Sequence, residues 1–408
     1  MNLIHAAAGV ERSGRAAAIA LGATIPCSVA LDNLLLAVIL LCWLAGGAYR
    51  EKWTVARSNP VGSAALLFTS VIFGALAWSD ASGAYKTALK YLDLAFIPLF
   101  LHYFRDSETR RLGLMAFAGM SLLILFLSLL VKAGALPHGG IISGSVDSPV
   151  VFKFRITHNF LMSFGALIFV WFAFTDSTAP RIRTLWAILA LAAAVNVLLM
   201  VEGATGQLIL VALALWLIIA RLPGRTRMAA LIAAAAAIAA LIYVPGPIAS
   251  RVDAFQRELS QWQPGVGQRH SSSGLRLEFF GNSASIIAER PLLGVGTGGF
   301  PAAYAKQVAG TDMLPTTNPH NEYLMITAQT GLVGLMAMLA LFIVSWRCAI
   351  RLPTAMETGL ARGLVIAMAI GCLFNSFLLD HAEGLFFAWM SGLLFAGYRS
   401  DTPTGQSA

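Results

Sequence analysis

The sequence contains little charge. Asp, Glu, Lys and Arg make up 12% of its 408 residues, whereas soluble domains carry about 25%. Hydrophobic residues make up 58%, and the mean hydropathy is +0.74. This composition excludes an ordinary soluble domain and indicates an integral membrane protein.

Cysteine is scarce, and its few copies follow no metal-binding pattern. Cys27, Cys42, Cys348 and Cys372 lie in or beside apolar runs, where a free thiol behaves as a small hydrophobic group. The cysteines and histidines do not have the spacing of a metal finger. We therefore expect no disulfide framework, no bound metal and no cofactor.

Strand-forming runs, internal repeats and nucleic-acid motifs are also missing. The net charge is +8, but no basic groove or aromatic platform accompanies it. In a membrane protein, such an excess of Lys and Arg more often holds cytoplasmic loops in place. We predict an all-α protein that does not bind nucleic acid.

Long apolar runs fill most of the chain. A bilayer core about 30 Å thick needs roughly 17–25 apolar residues per helix, and twelve segments approach or meet that length. They are residues 16–28, 30–48, 60–78, 87–104, 112–131, 157–174, 184–201, 206–220, 228–244, 322–346, 360–379 and 383–397. We predict a polytopic fold of about twelve transmembrane helices.

The Lys and Arg residues are divided unequally between the loops. With both termini in the cytoplasm, 17 of the 28 lie in cytoplasmic segments and only 5 in the short loops of the opposite side. The other 6 lie in one long loop at residues 245–321. Short loops rich in Lys and Arg stay in the cytoplasm, so we expect the long loop to face the other side.

The long loop divides the chain into three parts. Residues 1–244 hold nine predicted spans, and residues 322–408 hold the last three and a cytoplasmic tail. Within the loop at 245–321, Arg251–Gln263 has the apolar spacing of an amphipathic helix that could lie on the membrane surface. Arg276–Arg290 has the pattern of a second helix.

Arginines near the predicted membrane boundaries could bind an anion. A guanidinium is always charged, and its donors match the oxygens of a phosphate. An Arg at a membrane edge also commonly extends to lipid headgroups, and that explanation stays open. At Arg276 a helix N-terminus, which Ser272 or Ser273 could cap, would add positive charge toward an anion. The candidates are Arg155, Arg269, Arg276 and Arg290.

His320 is the best candidate for a proton acceptor. It follows Asn318-Pro319 and precedes Asn321 and Glu322 at the start of a predicted span. A histidine can accept a proton near neutral pH, and an adjacent helix N-terminus favours its neutral form. The alternative, that His320 only caps the helix or binds a backbone carbonyl, stays open.

Acidic side chains at membrane depth are costly and often functional. Asp93 lies about two turns inside a predicted span. Asp380 and Glu383 lie between the last two spans, where exposure to water would explain them equally well.

Glycines are concentrated in the run Gly-Val-Gly-Thr-Gly-Gly at Gly294–Gly299. It matches a dinucleotide fingerprint only superficially, because no parallel sheet surrounds it. We interpret this run as a turn that follows the second loop helix.

Three motifs in about 70 residues carry a resemblance to a known family. They are Ser-Ser-Gly-x-Arg at Ser272–Arg276, Glu-Arg-Pro-Leu-Leu-Gly-Val-Gly at Glu289–Gly296, and His320-Asn321 followed by Gly-Leu-Val-Gly at Gly331–Gly334. Together they resemble the O-antigen ligase and polymerase superfamily of bacterial envelope proteins. The family's arginine motif reads Arg-x3-Leu, whereas Phe280 takes the last position here.

The resemblance implies a C-type glycosyltransferase-like fold in the bacterial inner membrane, with the active site facing the periplasm. It implies an O-antigen ligase of lipopolysaccharide biosynthesis, which moves a glycan from undecaprenyl pyrophosphate to the lipid A core without a metal. His320 would be the base, and Arg276 would bind pyrophosphate with Arg155, Arg269 and Arg290. The supporting residues would be Asn318, Asn321, Glu322 and Asp380.

Other functions stay open. A polymerase that joins repeat units, or a protein O-oligosaccharyltransferase, would share the motifs. The modest length and single large loop of the chain favour the ligase over the protein-glycosylating enzyme. A transporter of the lipid-linked glycan would need charges along the membrane interior, and the spans offer few beyond Asp32, Lys90 and Asp93.

Overall fold

The computed structural model describes residues 2–136, 139–140, 142–175, 179–263 and 272–399. The helices are α1 (Asn2–Thr24), α2 (Val29–Ala45), α3 (Tyr49–Ser58), α4 (Pro60–Gly74), α5 (Ala84–Lys90), α6 (Ile97–Tyr103), α7 (Ser107–Lys132), α8 (Arg155–Ala173), α9 (Pro180–Val195), α10 (Ala204–Arg221), α11 (Gly224–Tyr243), α12 (Pro247–Gln261), α13 (Ser272–Glu289), α14 (Phe300–Gln307), α15 (Glu322–Cys348), α16 (Ala355–Phe374) and α17 (His381–Phe395). In these residues the only extended pairing is one isolated bridge between Gly139 and Ile142. The predicted all-α fold is confirmed.

Apolar helices long enough to cross a bilayer dominate the described ranges. Eight qualify, or nine if the bent pair α2 and α3 counts as one more. The eight are Pro60–Trp78, Ser107–Lys132, Arg155–Ala173, Pro180–Met200, Ala204–Arg221, Gly224–Tyr243, Glu322–Arg351 and Ala355–Phe374. They support a polytopic membrane protein, although the predicted count of about twelve is not confirmed.

The other predicted spans take different forms. Residues 87–104 break into α5, a 3-10 segment at Tyr91–Phe96, and α6. Pro98 lies in the first turn of α6, where its missing amide hydrogen would be unpaired in any case. Helices α2 and α17 are apolar but have only 17 and 15 residues.

Helix α17 lies at the centre of the bundle. Every residue from Ala382 to Phe395 is buried. The Phe117 and Phe386 rings are 4.9 Å apart, and the indole of Trp389 donates a 2.8 Å hydrogen bond to the Ala18 carbonyl. This packing fixes the segment just before α17, which contacts the candidate site.

The two helices predicted in the long loop are present with shifted boundaries. The first is α12, which begins four residues before Arg251 and ends at Gln261. Its apolar residues Phe255 and Leu259 are exposed. The second is α13, which begins at Ser272 rather than Arg276 and ends at Glu289.

Candidate active site

The segment before α15 holds His320 in an unusual backbone conformation. The φ angle of His320 is 55°, in the left-handed region that non-glycine residues rarely adopt. Its amide donates a 2.8 Å hydrogen bond to Asn318 Oδ1, and the Ser376 hydroxyl donates to the same oxygen at 2.8 Å. Such strain costs about 1–3 kcal/mol and persists where surrounding contacts impose it, often at functional sites.

The residue after His320 fixes the start of α15. Asn321 accepts a 3.0 Å hydrogen bond from the Leu324 amide and donates one of 3.0 Å to the Leu373 carbonyl in α16. The first bond caps the helix, and the second ties it to α16. Asn321 therefore positions the backbone beside His320.

The buried carboxylate of Glu322 joins α15 to two other segments. It accepts hydrogen bonds from the Tyr91 hydroxyl at 2.8 Å and from the Leu378 and Leu379 amides at 3.0 and 3.3 Å. These bonds join α15 to the 3-10 segment and to the turn before α17. Because its oxygens are occupied, Glu322 fits a positioning role better than that of a base.

Arg276 lies beside His320. Burial lowers the pKa of the His320 imidazole below its ordinary value, and the positive charge of Arg276 lowers it further. Phe279, on α13 with Arg276, stacks its ring on the imidazole with centroids 6.3 Å apart. The arrangement favours a neutral imidazole, which is the form that can accept a proton.

The Arg276 guanidinium itself is half-buried on α13. Burial lowers its pKa, but a guanidinium stays charged at any physiological pH. Among the described residues it makes no hydrogen bond or ion pair. Helix α13 begins at Ser272, next to residues outside the described ranges, so the cap by Ser272 or Ser273 stays a prediction. The Ser273 amide donates a 2.9 Å hydrogen bond to Glu258 Oε2.

The second and third sequence motifs form one structural unit. Helix α15 is broken at Gly331, where φ is 65° and ψ is −165°. The Val295 and Gly296 amides donate hydrogen bonds of 2.9 and 2.8 Å to the Ala328 and Gln329 carbonyls, and the Leu332 amide donates one of 2.8 Å to Pro291. The turn at residues 294–299 therefore fills the break in α15, which explains its glycines without a nucleotide.

The predicted arginines other than Arg276 do not join this group. Arg155 begins α8, is exposed, and lies 3.2 Å from Glu202. Arg290 follows α13 and is exposed. Asp380 is also exposed, but it adjoins Leu379, whose amide binds Glu322. Arg269 lies outside the described residues. The structure thus brings Arg276, Asn318, His320, Asn321 and Glu322 together.

Asn375 and Ser376 are site residues that sequence reasoning missed. Ser376 binds Asn318, as described above, and Asn375 donates a 3.1 Å hydrogen bond to the Thr205 hydroxyl at the start of α10. Both residues lie within an apolar run of the sequence. The one sign that could have marked them as site residues is that two polar residues stand side by side in that run. Their role depends on packing between segments far apart in the sequence.

Two of the acids at membrane depth have basic partners. Asp93 Oδ2 lies 2.8 Å from His381 Nδ1, and Asp32 Oδ2 lies 3.9 Å from Lys153 Nζ. Asp32 and His381 both lie in the first turn of their helices. In the described part of the chain, no three His, Cys, Asp or Glu side chains converge as a metal site requires.

An apolar groove of about 740 Å³ lies between α8, α9 and α10. Small and aliphatic residues line it, including Ala166, Ala190 and Leu210, and Arg183 lies at its edge. This lining suits a hydrocarbon chain better than a sugar.

A comparison with protein families matches the part of the chain that contains the candidate site. Residues 187–339 match a family model described as O-antigen ligase. This range includes Arg276, His320 and the break at Gly331, but not Arg155. A search of curated proteins finds no match. The family match supports membership of this chain in the O-antigen ligase superfamily, which its sequence motifs also resemble.

Proposed function

We propose that the protein is an O-antigen ligase of the bacterial inner membrane. It transfers a glycan from undecaprenyl pyrophosphate to the lipid A core at the periplasmic face, with both termini in the cytoplasm. Family membership supports a ligase or polymerase type of reaction. The observation that carries the proposal is the half-buried Arg276 beside the imidazole of His320, with no ion-pair partner for Arg276 among the described residues.

The leaving group needs charge stabilisation. When the acceptor oxygen bonds to the anomeric carbon, the bond from that carbon to the pyrophosphate oxygen breaks, and negative charge develops on the pyrophosphate. A fixed guanidinium in a partly desolvated site stabilises that charge most strongly in the transition state. Arg276 supplies it directly, and the sequence offers Arg155, Arg269 and Arg290 as further candidates.

The acceptor hydroxyl must lose a proton as it attacks. His320 is the proposed acceptor of that proton, since burial and Arg276 both favour its neutral form. Asn318 holds the His320 amide, Asn321 caps the adjoining helix, and Glu322 ties that helix to the turn before Asp380. These contacts support a positioning role for the three residues.

The alternatives differ mainly in the acceptor. A polymerase or a protein O-oligosaccharyltransferase would use the same arginine and histidine with another hydroxyl. A transporter is less well supported. Asp32 and Asp93 are paired with nearby bases, and so give little support to a series of charges across the membrane.

The deciding experiment offers two acceptors to the purified protein in detergent, with undecaprenyl-pyrophosphate glycan as donor and a chelator present. One acceptor is lipid A core, and the other is a second undecaprenyl-linked repeat. Product on lipid A core supports the ligase and its metal independence. Chain growth on the lipid-linked repeat would make the protein a polymerase. Activity that requires an added divalent cation would overturn metal independence.

A further inference from the structure

A second cationic site involves three side chains from different parts of the chain. Arg155 begins α8, Glu202 precedes α10, and Arg251 lies on α12. Arg155 Nη1 is 3.2 Å from Glu202 Oε2, and Arg251 Nη2 is 3.5 Å from Glu202 Oε1. Each oxygen of one carboxylate is therefore bound by a different arginine.

The electrostatics of this group favour a larger anion. Two positive charges face a single negative charge, so these three side chains carry one net positive charge. The N-terminus of α8 at Arg155 and that of α10 at Ala204 add partial positive charge. A phosphate carries more charge and more acceptor oxygens than a carboxylate, and would satisfy both guanidinium groups better.

The surroundings place the group at the level of lipid headgroups. Phe154, next to Arg155, is 85% exposed, and Tyr243, the last residue of α11, is 83% exposed. Phe255 and Leu259, on the same helix as Arg251, are 50% and 47% exposed. Exposed aromatic and aliphatic side chains beside arginines are typical of a membrane interface. An anion that reaches this site would therefore be part of a lipid.

We propose that Arg155 and Arg251 form a seat for the phosphate of a membrane lipid, and that Glu202 is an internal counter-ion which this phosphate displaces. The seat rests on the proposed function only for the identity of the lipid, since a lipid-linked glycan donor has the same chemistry. Helix α12 would then bring a second arginine to the membrane surface beside Arg155.

Lipid binding tests the seat without any transfer reaction. The full chain is reconstituted in phosphatidylcholine vesicles with a trace of spin-labelled phosphatidylglycerol, and electron paramagnetic resonance measures the affinity of the immobilised label. We expect Arg251→Gln to weaken this affinity about five-fold. That factor corresponds to the contribution of about 1 kcal/mol that one Lys or Arg makes to binding at an anionic membrane surface. Glu202→Gln should strengthen it, because both arginines lose their competitor.

The matched control is Arg257→Gln, which removes the same charge from an exposed position of the same helix. It should leave the affinity unchanged, and Arg251→Lys should keep part of it. An equal loss of affinity in Arg257→Gln would show that the basic surface acts as a whole, and would overturn the seat. Wild-type affinity in Arg251→Gln would also overturn it.

Competitors separate a lipid phosphate from a free one. Undecaprenyl pyrophosphate should displace the label, whereas inorganic pyrophosphate at the same concentration should not. Equal displacement by inorganic pyrophosphate would overturn the assignment to a lipid. Because no acceptor is present, a protein that proves inactive as a ligase would still give an interpretable result.

Discussion

Arg276 is a single residue on which the proposed chemistry depends. Replacing it with Gln should slow glycan transfer about 100- to 1,000-fold, the usual effect of removing one fixed donor to a developing charge. The fold should survive, because Arg276 makes no hydrogen bond or ion pair among the described residues. Transfer rate and thermal unfolding of the purified variant measure the two effects.

Lys306→Gln is the control for Arg276, since Lys306 is an exposed cation of the same loop. Its transfer rate should equal that of the wild type. A wild-type rate in Arg276→Gln would remove Arg276 from the mechanism, and a large loss in both variants would indicate a diffuse charge effect.

The pH dependence of transfer should report His320. The pKa of His320 lies below its ordinary value of about 6.5. The imidazole therefore stays neutral until the pH falls below this lowered pKa. The rate should then decrease as protonation removes the base. In Arg276→Gln this decrease should begin at higher pH, because a nearby positive charge is gone. Profiles of kcat/KM against pH for the wild type and Arg276→Gln test this prediction. An acid-side decrease at the same pH in both proteins would contradict it.

Glu322 and His320 can be distinguished as bases. Glu322→Gln retains an oxygen for the Leu378 and Leu379 amides and a group that can pair with the Tyr91 hydroxyl. We expect its transfer rate to stay within a few-fold of the wild type, whereas His320→Ala should lose about 100- to 10,000-fold, the range typical of a general base. The reverse order of the two rates would make Glu322 the base.

At the scale of elements, the break in α15 is the feature that assembles the site. Gly331 has a φ of 65°, and a Cβ there would lie 2.1 Å from the Leu292 carbonyl carbon and oxygen. Gly331→Ala should therefore destabilise the protein by more than about 1 kcal/mol, because both the backbone and the contact oppose it. The midpoint of thermal unfolding should fall, and transfer should fall with it.

Gly281→Ala is the matched control for that element. Gly281 lies within α13, and a Cβ there would meet nothing within 4 Å. Alanine in a helix interior is favoured over glycine by roughly 0.5–1 kcal/mol, so the midpoint should stay constant or rise. Equal midpoints for the two variants would argue against a required break at Gly331.

At the scale of the whole molecule, the topology can be tested by labelling. The substitutions Ser285→Cys and Ser58→Cys are made in a variant without native cysteines. The thiol of Ser285→Cys should react with a membrane-impermeant maleimide in intact cells. The thiol of Ser58→Cys should react only after permeabilisation, because it lies in a predicted cytoplasmic loop. Both serines are exposed. Labelling in the opposite order would invert the orientation and move His320 to the cytoplasm.

The sequence by itself determined the membrane class, the helical fold, and the motifs around His320 and Arg276. Hydropathy and periodicity are local properties, so the positions of α7, α8 and α10 follow from short windows. The count of about twelve spans is not confirmed, and the break at Tyr91–Phe96 could not be predicted, because it depends on neighbours that the window does not include.

Only the tertiary structure decided how those pieces meet. Glu322 binds partners at Tyr91 and at Leu378, the turn at residues 294–299 fills the break at Gly331, and Arg251 shares Glu202 with Arg155. These contacts join residues tens to hundreds of positions apart. Their formation depends on how the helices pack, because a local sequence pattern fixes which side chains a helix carries but not which distant side chains they contact.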